Sequence, residues 1–380
     1  MDLHFNVVAE KLHEKLSNLL ILSDPQRLIR SDATMFDPHN GATPYRIDIL
    51  PNELLIKIFQ YLPIESILEC EKVCSRWNKI SRDLSVWRGL DFVYSGKPGQ
   101  TEIGERNLRI LDTHRECIRC LKIQYVYSYS EIKSIIDQCP NIISLELVMC
   151  RIGKQFEKDI TKWPDLRKIN LKNSLVLMNN VEVLVPYDNF KHLNYLSLSD
   201  FGLPVETRDS LLRCNYLTHI FIEKVRDLTL DYVKRLIINK TKILVALHIY
   251  GGGAVDDECL QMLSYCNSLK DLAIIHCENL TDAGLIKLTN LKKIQHLQIW
   301  NNIVFSEENL KRTLGSPNLT KLESLSLSKI GNVSPVIVDV ISEHYKNLKF
   351  LALYQCPQII NTDYEKQLKA KFRNIDVVLY

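Results

Sequence analysis

The chain has 380 residues, of which 46% are hydrophobic and 24% charged, proportions of a folded chain that exclude wholesale disorder. Lys plus Arg number 48 against 45 Asp plus Glu, and a net charge of +3 gives no general footprint for nucleic acid or an acidic membrane. The 11 cysteines are odd in number and follow no dense spacing pattern. The opening MDLHFNVVAEKLHEKL also carries acids and lysines where a signal peptide needs an unbroken apolar stretch. No apolar run approaches the roughly 18 residues of a membrane span. The expectation is therefore a chain with reduced thiols in the cytoplasm and/or nucleus, bound to neither membrane nor nucleic acid. The Asn-x-Ser/Thr matches at Asn239, Asn279, Asn318 and Asn332 are read as chance.

Residues 1–44 are expected to hold one helix and a linker. Leu12, Leu16, Leu19 and Leu20 follow helical spacing, Asp24-Pro25 stops the run, and the stretch from Asp37 to Pro44 is rich in turn formers.

Residues 45–92 form a different pattern. Pro51 suits a first helical turn, and Leu54, Leu55, Ile58 and Phe59 recur at helical spacing before Pro63 stops the helix. Ile64, Ile67, Leu68 and Val73 make a second apolar face. Ser75 is placed to cap a third helix containing Trp77 and Ile80, and Trp87 comes after a short break. Three short helices in so few residues bury little surface alone, so the unit is expected to present an apolar face to a partner.

The string Leu50-Pro51-x-Glu53-Leu54-Leu55, Ile58-Phe59, Tyr61-Leu62-Pro63, Val73-Cys74-x-x-Trp77 and Trp87-Arg88 closely resembles an F-box. That is the three-helix motif that docks on the Skp-family adaptor of a cullin-RING ubiquitin ligase. The resemblance implies that Leu50, Pro51, Leu54, Ile58, Phe59 and Leu62 face the adaptor, with Val73 and Trp77 supporting that surface. Residues 93–116 are expected to be a loop, with Leu108 and Leu111 as an imperfect cap on the repeats that begin at residue 117.

From residue 117 to 380 an aliphatic-x-x-aliphatic-x-aliphatic signature repeats. It begins at Ile118, Ile142, Leu166, Leu193, Leu217, Leu244, Leu269, Ile294, Leu322, Leu348 and Ile375, at intervals of 24 to 28 residues. Of the 33 signature positions 32 are Leu, Ile or Val and only Tyr380 departs, which chance does not produce. The period is that of leucine-rich repeats, each too small to bury its own apolar face, so neighbours stack and share a core. The expected fold class is α/β: a small three-helix F-box followed by a curved solenoid of about eleven repeats, strands parallel on the concave side and helices on the convex side. Ala283, Leu285, Ile286 and Leu288 illustrate the helical spacing.

Eight residues past the first aliphatic stand Cys150, Cys277 and Cys356, with Asn302 in another copy; three residues before it stand Cys139, Cys214 and Cys266. Cys277-Glu-Asn-Leu-Thr-Asp-Ala-Gly-Leu285 closely resembles the cysteine-containing subclass of these repeats, and Val255-Asp256-Asp257-Glu258 is a weaker copy. These thiols are read as small buried hydrophobes, and Cys117-x-x-Cys120, lacking a second pair, as no zinc site. The final strand is expected to be an open edge.

Alternation along each strand sends three residues per repeat into the concavity. One row reads Glu223, Tyr250, Ile275, Trp300, Ser328, Tyr354; the next Phe221, His248, Ala273, Gln298, Ser326, Ala352; the third His219, Ala246, Asp271, His296, Ser324, Phe350. Phe221, His248, Tyr250, Ile275, Trp300 and Tyr354 are the candidate partner-binding residues, clustered like interface hot spots. His219, His248 and His296 are expected to be surface residues and not metal ligands. Gly251-Gly252-Gly253 lacks the rest of a phosphate loop and reads as an exit loop. Lys168 and Lys172 are a weak candidate phosphate pair.

The function implied by the resemblance is a non-catalytic substrate receptor of an SCF-type ubiquitin ligase. It would bind the Skp-family adaptor directly, cullin and RING subunits indirectly, and an unknown protein substrate through the concave face. The alternative is a non-degradative binding scaffold. No cofactor or metal is expected, and no nucleophile elbow, HExxH or P-loop supports an enzyme.

Overall fold

In the computed structural model the described residues are 50–97, 101–172, 174–176, 184–199, 202–225, 228–251, 253–276, 278–300, 305–360, 362–372 and 375–379. The helix expected within residues 1–44, its linker, Gly252, Cys277, Asn302 and Tyr380 lie outside them. The chain divides into two compact units: residues up to Phe92 with Leu108–Cys120, and Val93–Asn107 with residues from Leu121 onward.

The first unit is helical. It contains α1 (Asn52–Phe59), α2 (Ile64–Cys70), α3 (Ser75–Ser81) and α4 (Leu84–Trp87). Pro51 precedes α1 as its N-cap, where its missing N–H costs nothing. Pro63 does not itself end α1. It caps the start of α2, after Tyr61 and Leu62 have closed the first turn with 3.1 and 3.0 Å bonds to Ile58 and Phe59 carbonyls. Ser75 is the first residue of α3 and not its cap; Cys74 holds that position in extended backbone.

Strand β1 (Asp91–Ser95) and a fourteen-residue helix α5 (Thr101–His114) occupy the stretch expected to be a loop. The segment from Leu108 to Cys120 belongs to the helical unit and not, as expected, to the solenoid; Leu111 is buried and Leu108 exposed. Only the weak apolar pattern of α5 stood in the sequence, and its Gly104 and many polar residues masked it.

The second unit is the solenoid. After β1 come β2 (Cys120–Gln124), α6 (Tyr129–Gln138), β3 (Ser144–Val148), β4 (Arg151–Ile152), α7 (Phe156–Ile160), β5 (Lys168–Lys172) and β6 (Leu175–Val176). Next are β7 (Tyr195–Ser199), α8 (Val205–Arg213), β8 (His219–Glu223), α9 (Leu230–Lys240), β9 (Ala246–Tyr250), α10 (Asp257–Leu263) and β10 (Asp271–Ile275). The series ends with α11 (Asp282–Leu285), β11 (His296–Trp300), α12 (Glu307–Leu314), β12 (Ser324–Ser328), α13 (Pro335–His344), β13 (Phe350–Tyr354), α14 (Tyr364–Lys371) and β14 (Asp376–Leu379). Twelve strands form one sheet in the order β1-β2-β3-β5-β7-β8-β9-β10-β11-β12-β13-β14, and β4 pairs with β6 apart from it. From β3 to β14 the pairs run parallel.

The signature aliphatics of strands β2 to β13 are buried on the helix side, as a repeat sharing its core with neighbours requires. The last copy differs. Leu351 pairs with Val377 and Leu353 with Leu379, so Val377 and Leu379, not Val378 and Tyr380, continue the core rows. The turn before β14 is one residue shorter than the signature assumed, and a one-residue slip exchanges the two faces of a strand.

Three recurring devices join one repeat to the next. At strand exits Tyr125, Met149, Lys224, His276, Lys329 and Gln355 all adopt left-handed backbone, φ 49° to 58°. At Tyr125, Met149, Lys224, His276 and Lys329 the cost of that conformation in a non-glycine residue is offset by a backbone bond to the next repeat. His276 N donates to Trp300 O at 3.0 Å, Lys224 N to Tyr250 O at 2.9 Å and Lys329 N to Tyr354 O at 2.7 Å.

On the helix side, an acid at the start of one helix accepts hydrogen bonds from the cap of the next. Asp257 takes Thr281 N at 2.8 Å and Thr281 Oγ1 at 2.6 Å, Asp282 takes Ser306 N at 2.9 Å, and Glu307 takes Ser334 Oγ at 2.6 Å. Gly284, not the exposed Ala283, faces inward in α11, because a Cβ there would land on the Asp257 carboxylate.

The cysteines at the buried position also bridge repeats. Cys150 Sγ donates to Ile123 O at 3.4 Å and Cys356 Sγ to Leu327 O at 3.3 Å, while Ser174 fills the same position and donates to Leu147 O at 2.9 Å. Burial pushes the Cys139, Cys214 and Cys259 thiols up to about 12, conditions under which a reactive thiolate does not form.

Candidate functional sites: an F-box-like face and an aromatic concave strip

Helix α1 carries two apolar stripes one residue apart. Leu55, Phe59 and Leu62 are spaced i, i+4, i+7 and are fully buried. Phe59 meets Trp77 edge to face with ring centroids 5.3 Å apart. Leu54, Ile58 and Tyr61 have the same spacing and form the outer stripe, with Leu54 45% and Tyr61 71% exposed and Ile58 half-buried. Pro51 is exposed and Leu50 half-buried at the start of this helix.

The expected docking set therefore divides. Leu50, Pro51, Leu54 and Ile58 are accessible, whereas Phe59 and Leu62 are core residues and do not face a partner. Trp77 supports the unit from its core, and Val73 is half-buried. Tyr61, absent from the expected set, joins the outer stripe. The helical pattern placed Leu54, Leu55, Ile58 and Phe59 together, but 100° per residue puts Leu55 and Phe59 on one face and Leu54 and Ile58 on the next.

Polar contacts fix the frame of this face. Arg76 Nε donates to Asn52 Oδ1 at 2.8 Å and an Arg76 guanidinium nitrogen donates to Leu50 O, tying α3 to the entrance of α1. Trp87 Nε1 donates to Ser81 O at 2.6 Å. Glu71 Oε1 contacts His114 Nε2 at 2.6 Å and lies 3.4 Å from Arg82. The His114 ring is buried and stacks on Trp87 at 5.2 Å. Sequence reading missed His114, because 43 residues separate it from Glu71 and no local pattern joins them.

The second surface lies on the concave side of the solenoid, and the expected rows are continuous in register. Glu223, Tyr250, Ile275, Trp300, Ser328 and Tyr354 are successive strand partners, as are Phe221, His248, Ala273, Gln298, Ser326 and Ala352. Phe221, His248, Tyr250, Ile275, Trp300 and Tyr354 are all half-buried, in keeping with side chains standing on an open face.

Their rings form two connected groups. In one, Tyr195 lies 6.1 Å from His219 and 4.9 Å from Phe221, and Phe221 lies 4.4 Å from His248. In the other, Tyr250 stacks on His276 at 5.0 Å, His276 lies 5.7 Å from Trp300, and Trp300 meets Tyr354 at 5.9 Å. The Trp300–Tyr354 contact spans the serine strand β12 and covers Ser328, which is buried. Tyr195 and His276 were not among the candidates. The first continues the His219 row by one strand, and the second reaches the strip only because its left-handed backbone turns it back beside Trp300.

His248 Nε2 contacts Asp271 Oδ1 at 2.8 Å. Burial lowers the His219 pKa from 6.5, opposed by the Asn194 carbonyl and Asp271. Lys168 is engaged with Glu146 at 3.6 Å and sits 5.1 Å over the Tyr195 ring, while Lys172 lies at the far end of β5, so the two do not converge on a phosphate. Among the described residues no group of three or more His, Cys, Asp or Glu side chains is placed to hold a metal ion, and no helix is long and apolar enough to cross a membrane.

Comparison with known proteins fits this geometry. Residues 47–93 match the F-box-like family. F-box/LRR-repeat protein 5 of Danio rerio is 38% identical over 64 residues, 15% of this chain and 9% of that protein. F-box/LRR-repeat protein 12 of Homo sapiens is 36% identical over 50 residues, 13% of this chain and 15% of that one. An F-box/FBD/LRR-repeat protein of Arabidopsis thaliana is 25% identical over 272 residues, 60% of this chain and 61% of that one. The chain thus spans less than two thirds of the length of each of these relatives. It combines an F-box-like match in its helical unit with a parallel-strand solenoid of leucine-rich repeats after it, the two features that the names of these relatives pair.

Proposed function

We propose that the chain is the substrate-recognition subunit of an SCF-type ubiquitin ligase. Leu50, Pro51, Leu54, Ile58 and Tyr61 form the face that receives a Skp-family adaptor, through which cullin and RING subunits are reached. The concave strip around Phe221, His248, Tyr250, Ile275, Trp300 and Tyr354 receives the target protein. The subunit contributes proximity, raising the effective concentration of target lysines near the charged ubiquitin carrier. In this reading it performs no bond chemistry of its own and works in the cytoplasm or nucleus.

The observation that carries the reading is the outer stripe of α1. A helix whose core side is already complete leaves a leucine, an isoleucine and a tyrosine in line on its accessible side, in a segment that matches the F-box-like family. Apolar stripes of that kind mark a partner surface. The test is co-purification of the chain with a Skp-family adaptor, comparing wild type with a Leu50→Ala/Pro51→Ala double variant. Association that is lost in the variant supports the reading, and no association of wild type overturns it.

A further inference from the structure

The charge of the concave face is divided along the solenoid. On β2, β3 and β5 the inward positions carry Lys122, Glu146, Lys168 and Lys172, and Glu146 bridges Lys122 at 2.7 Å and Lys168 at 3.6 Å. From β7 to β13 the three inward positions of every strand hold aromatic, histidine, small or amide side chains, apart from the aliphatic Ile275 and the two carboxylates Glu223 and Asp271. Neither lysine nor arginine occupies any of these described positions, although Lys and Arg make up 48 of 380 residues. Seven consecutive strands thus present a surface with two carboxylates and the faces of Tyr195, Phe221, Tyr250 and Trp300.

The ring faces already show what they accept. Lys168 Nζ lies 5.1 Å over Tyr195, and Lys224 Nζ, from the left-handed exit of β8, lies 5.5 Å over Tyr250. Two rings of the strip therefore each hold an ammonium group from this chain. A planar guanidinium stacks on such rings better than an ammonium does and pairs with a carboxylate through two parallel bonds.

We propose that the strip from β7 to β13 binds an extended target segment through an arginine, or a lysine in its place, flanked by apolar residues. The cation lies against the tyrosine and tryptophan rings within reach of Glu223 and Asp271. This rests on the concave face being the target-binding surface. The strip spans six inter-strand gaps of about 4.8 Å, roughly 29 Å, which an extended segment of about nine residues covers. Acidic or phosphorylated segments are the poorer partners here, because the inward positions from β7 to β13 offer two carboxylates and no lysine or arginine, and the nearby Lys168 and Lys224 ammonium groups already lie over Tyr195 and Tyr250.

The test places the labelled full chain, as its adaptor complex, on an array of random dodecapeptides and compares wild type with a Glu223→Gln/Asp271→Asn variant. Both changes keep side-chain shape at accessible positions, so the fold is retained. The expected result is enrichment of Arg and Lys among bound peptides, depletion of Asp and Glu, and about tenfold weaker binding when the arginine of a selected peptide becomes glutamine. The variant should lose the preference for cations while keeping that for apolar residues. Enrichment of acidic or phosphorylated peptides, an unchanged cation preference in the variant, or no bound peptide overturns the proposal. Should the adaptor fail to associate, the chain alone is applied to the same array; that failure sinks the receptor reading and leaves this one to be decided by the peptides.

Discussion

The two stripes of α1 make opposite demands on substitution, and the difference is large enough to separate adaptor docking from folding. Phe59 is fully buried against Trp77, and truncating a buried phenylalanine to alanine costs about 3–5 kcal/mol. A helical unit of this size is stable by roughly 5 kcal/mol, so Phe59→Ala removes most of that and exposes the amides of α1 to α4. Leu54 keeps 45% of its surface accessible. Full burial of a leucine stabilises by about 1.5–3 kcal/mol, so the surface Leu54 still has to bury contributes about 1 kcal/mol to docking and little to folding. Leu54→Ala should therefore weaken adaptor affinity about fivefold at unchanged amide protection, and Leu54→Ala/Tyr61→Ala further still. Hydrogen exchange over residues 52–90 reads the amide protection, and calorimetric titration with a purified Skp-family adaptor reads the affinity. Intact protection in Phe59→Ala, or unaltered affinity in the Leu54→Ala/Tyr61→Ala variant, would refute the assignment of the two faces.

Gly284→Ala places a methyl group on the Asp257 carboxylate and within 2.8 Å of its Cγ. It should cost about 1–3 kcal/mol by breaking the Asp257–Thr281 bonds, seen as a lower unfolding midpoint with exchange beginning at α10 and α11. A Gly284→Ala chain as stable as wild type would contradict the ladder. Cys356→Ser should cost less than about 1 kcal/mol, because Ser174 already donates from the same position; Cys356→Val, which fills the space without a donor, should cost more in the same denaturant titration. His219 has a folded pKa below its unfolded 6.5 because of burial, so the unfolded chain binds the proton more readily. The part of the stability owed to His219 is then present above about 6.5 and lost as pH falls from there toward the folded pKa. His219→Phe, which keeps a ring beside Tyr195, should flatten that part of the stability–pH curve, and an identical slope in the variant would count against it.

Periodicity made most of the solenoid legible. Aliphatic residues alternating across strands β2 to β13 gave both the core rows and, by subtraction, the concave rows, because a period of two leaves no freedom in which face a residue takes. That logic failed at β14, where the turn is shorter by one residue and aliphatics at 375, 377, 378 and 379 fit either register. The helical unit was legible as a motif but not as a surface. In a helix of eight residues with apolar side chains at 54, 55, 56, 58 and 59, pattern alone does not separate the core stripe from the outer one. Glu71 with His114, distant in sequence and outside any repeat, gave no signal at all, whereas Trp300 and Tyr354 shared an inward row and only their contact across the serine strand was not foreseen.

The devices that hold the repeats together all lie away from the concave strand positions. The core uses the second and fourth residues of each strand. The left-handed exits bond through backbone, the cap ladder lies on the helices, and the buried Cys or Ser donates to a carbonyl at the strand exit. What remains for the first, third and fifth residues is ring contact, a few pairs such as His248 with Asp271, small buried side chains such as Ala273 and Ser328, and solvent. Stability therefore puts little demand on those positions, and an aromatic series running from Tyr195 to Tyr354 is more than the fold requires. Rings left half-exposed on five of seven neighbouring strands lower solubility unless something covers them. The proposal that a partner covers them accounts for their presence, and the absence of lysine and arginine from the same described positions, where a chain this rich in both would ordinarily place some, is what makes that proposed partner cationic.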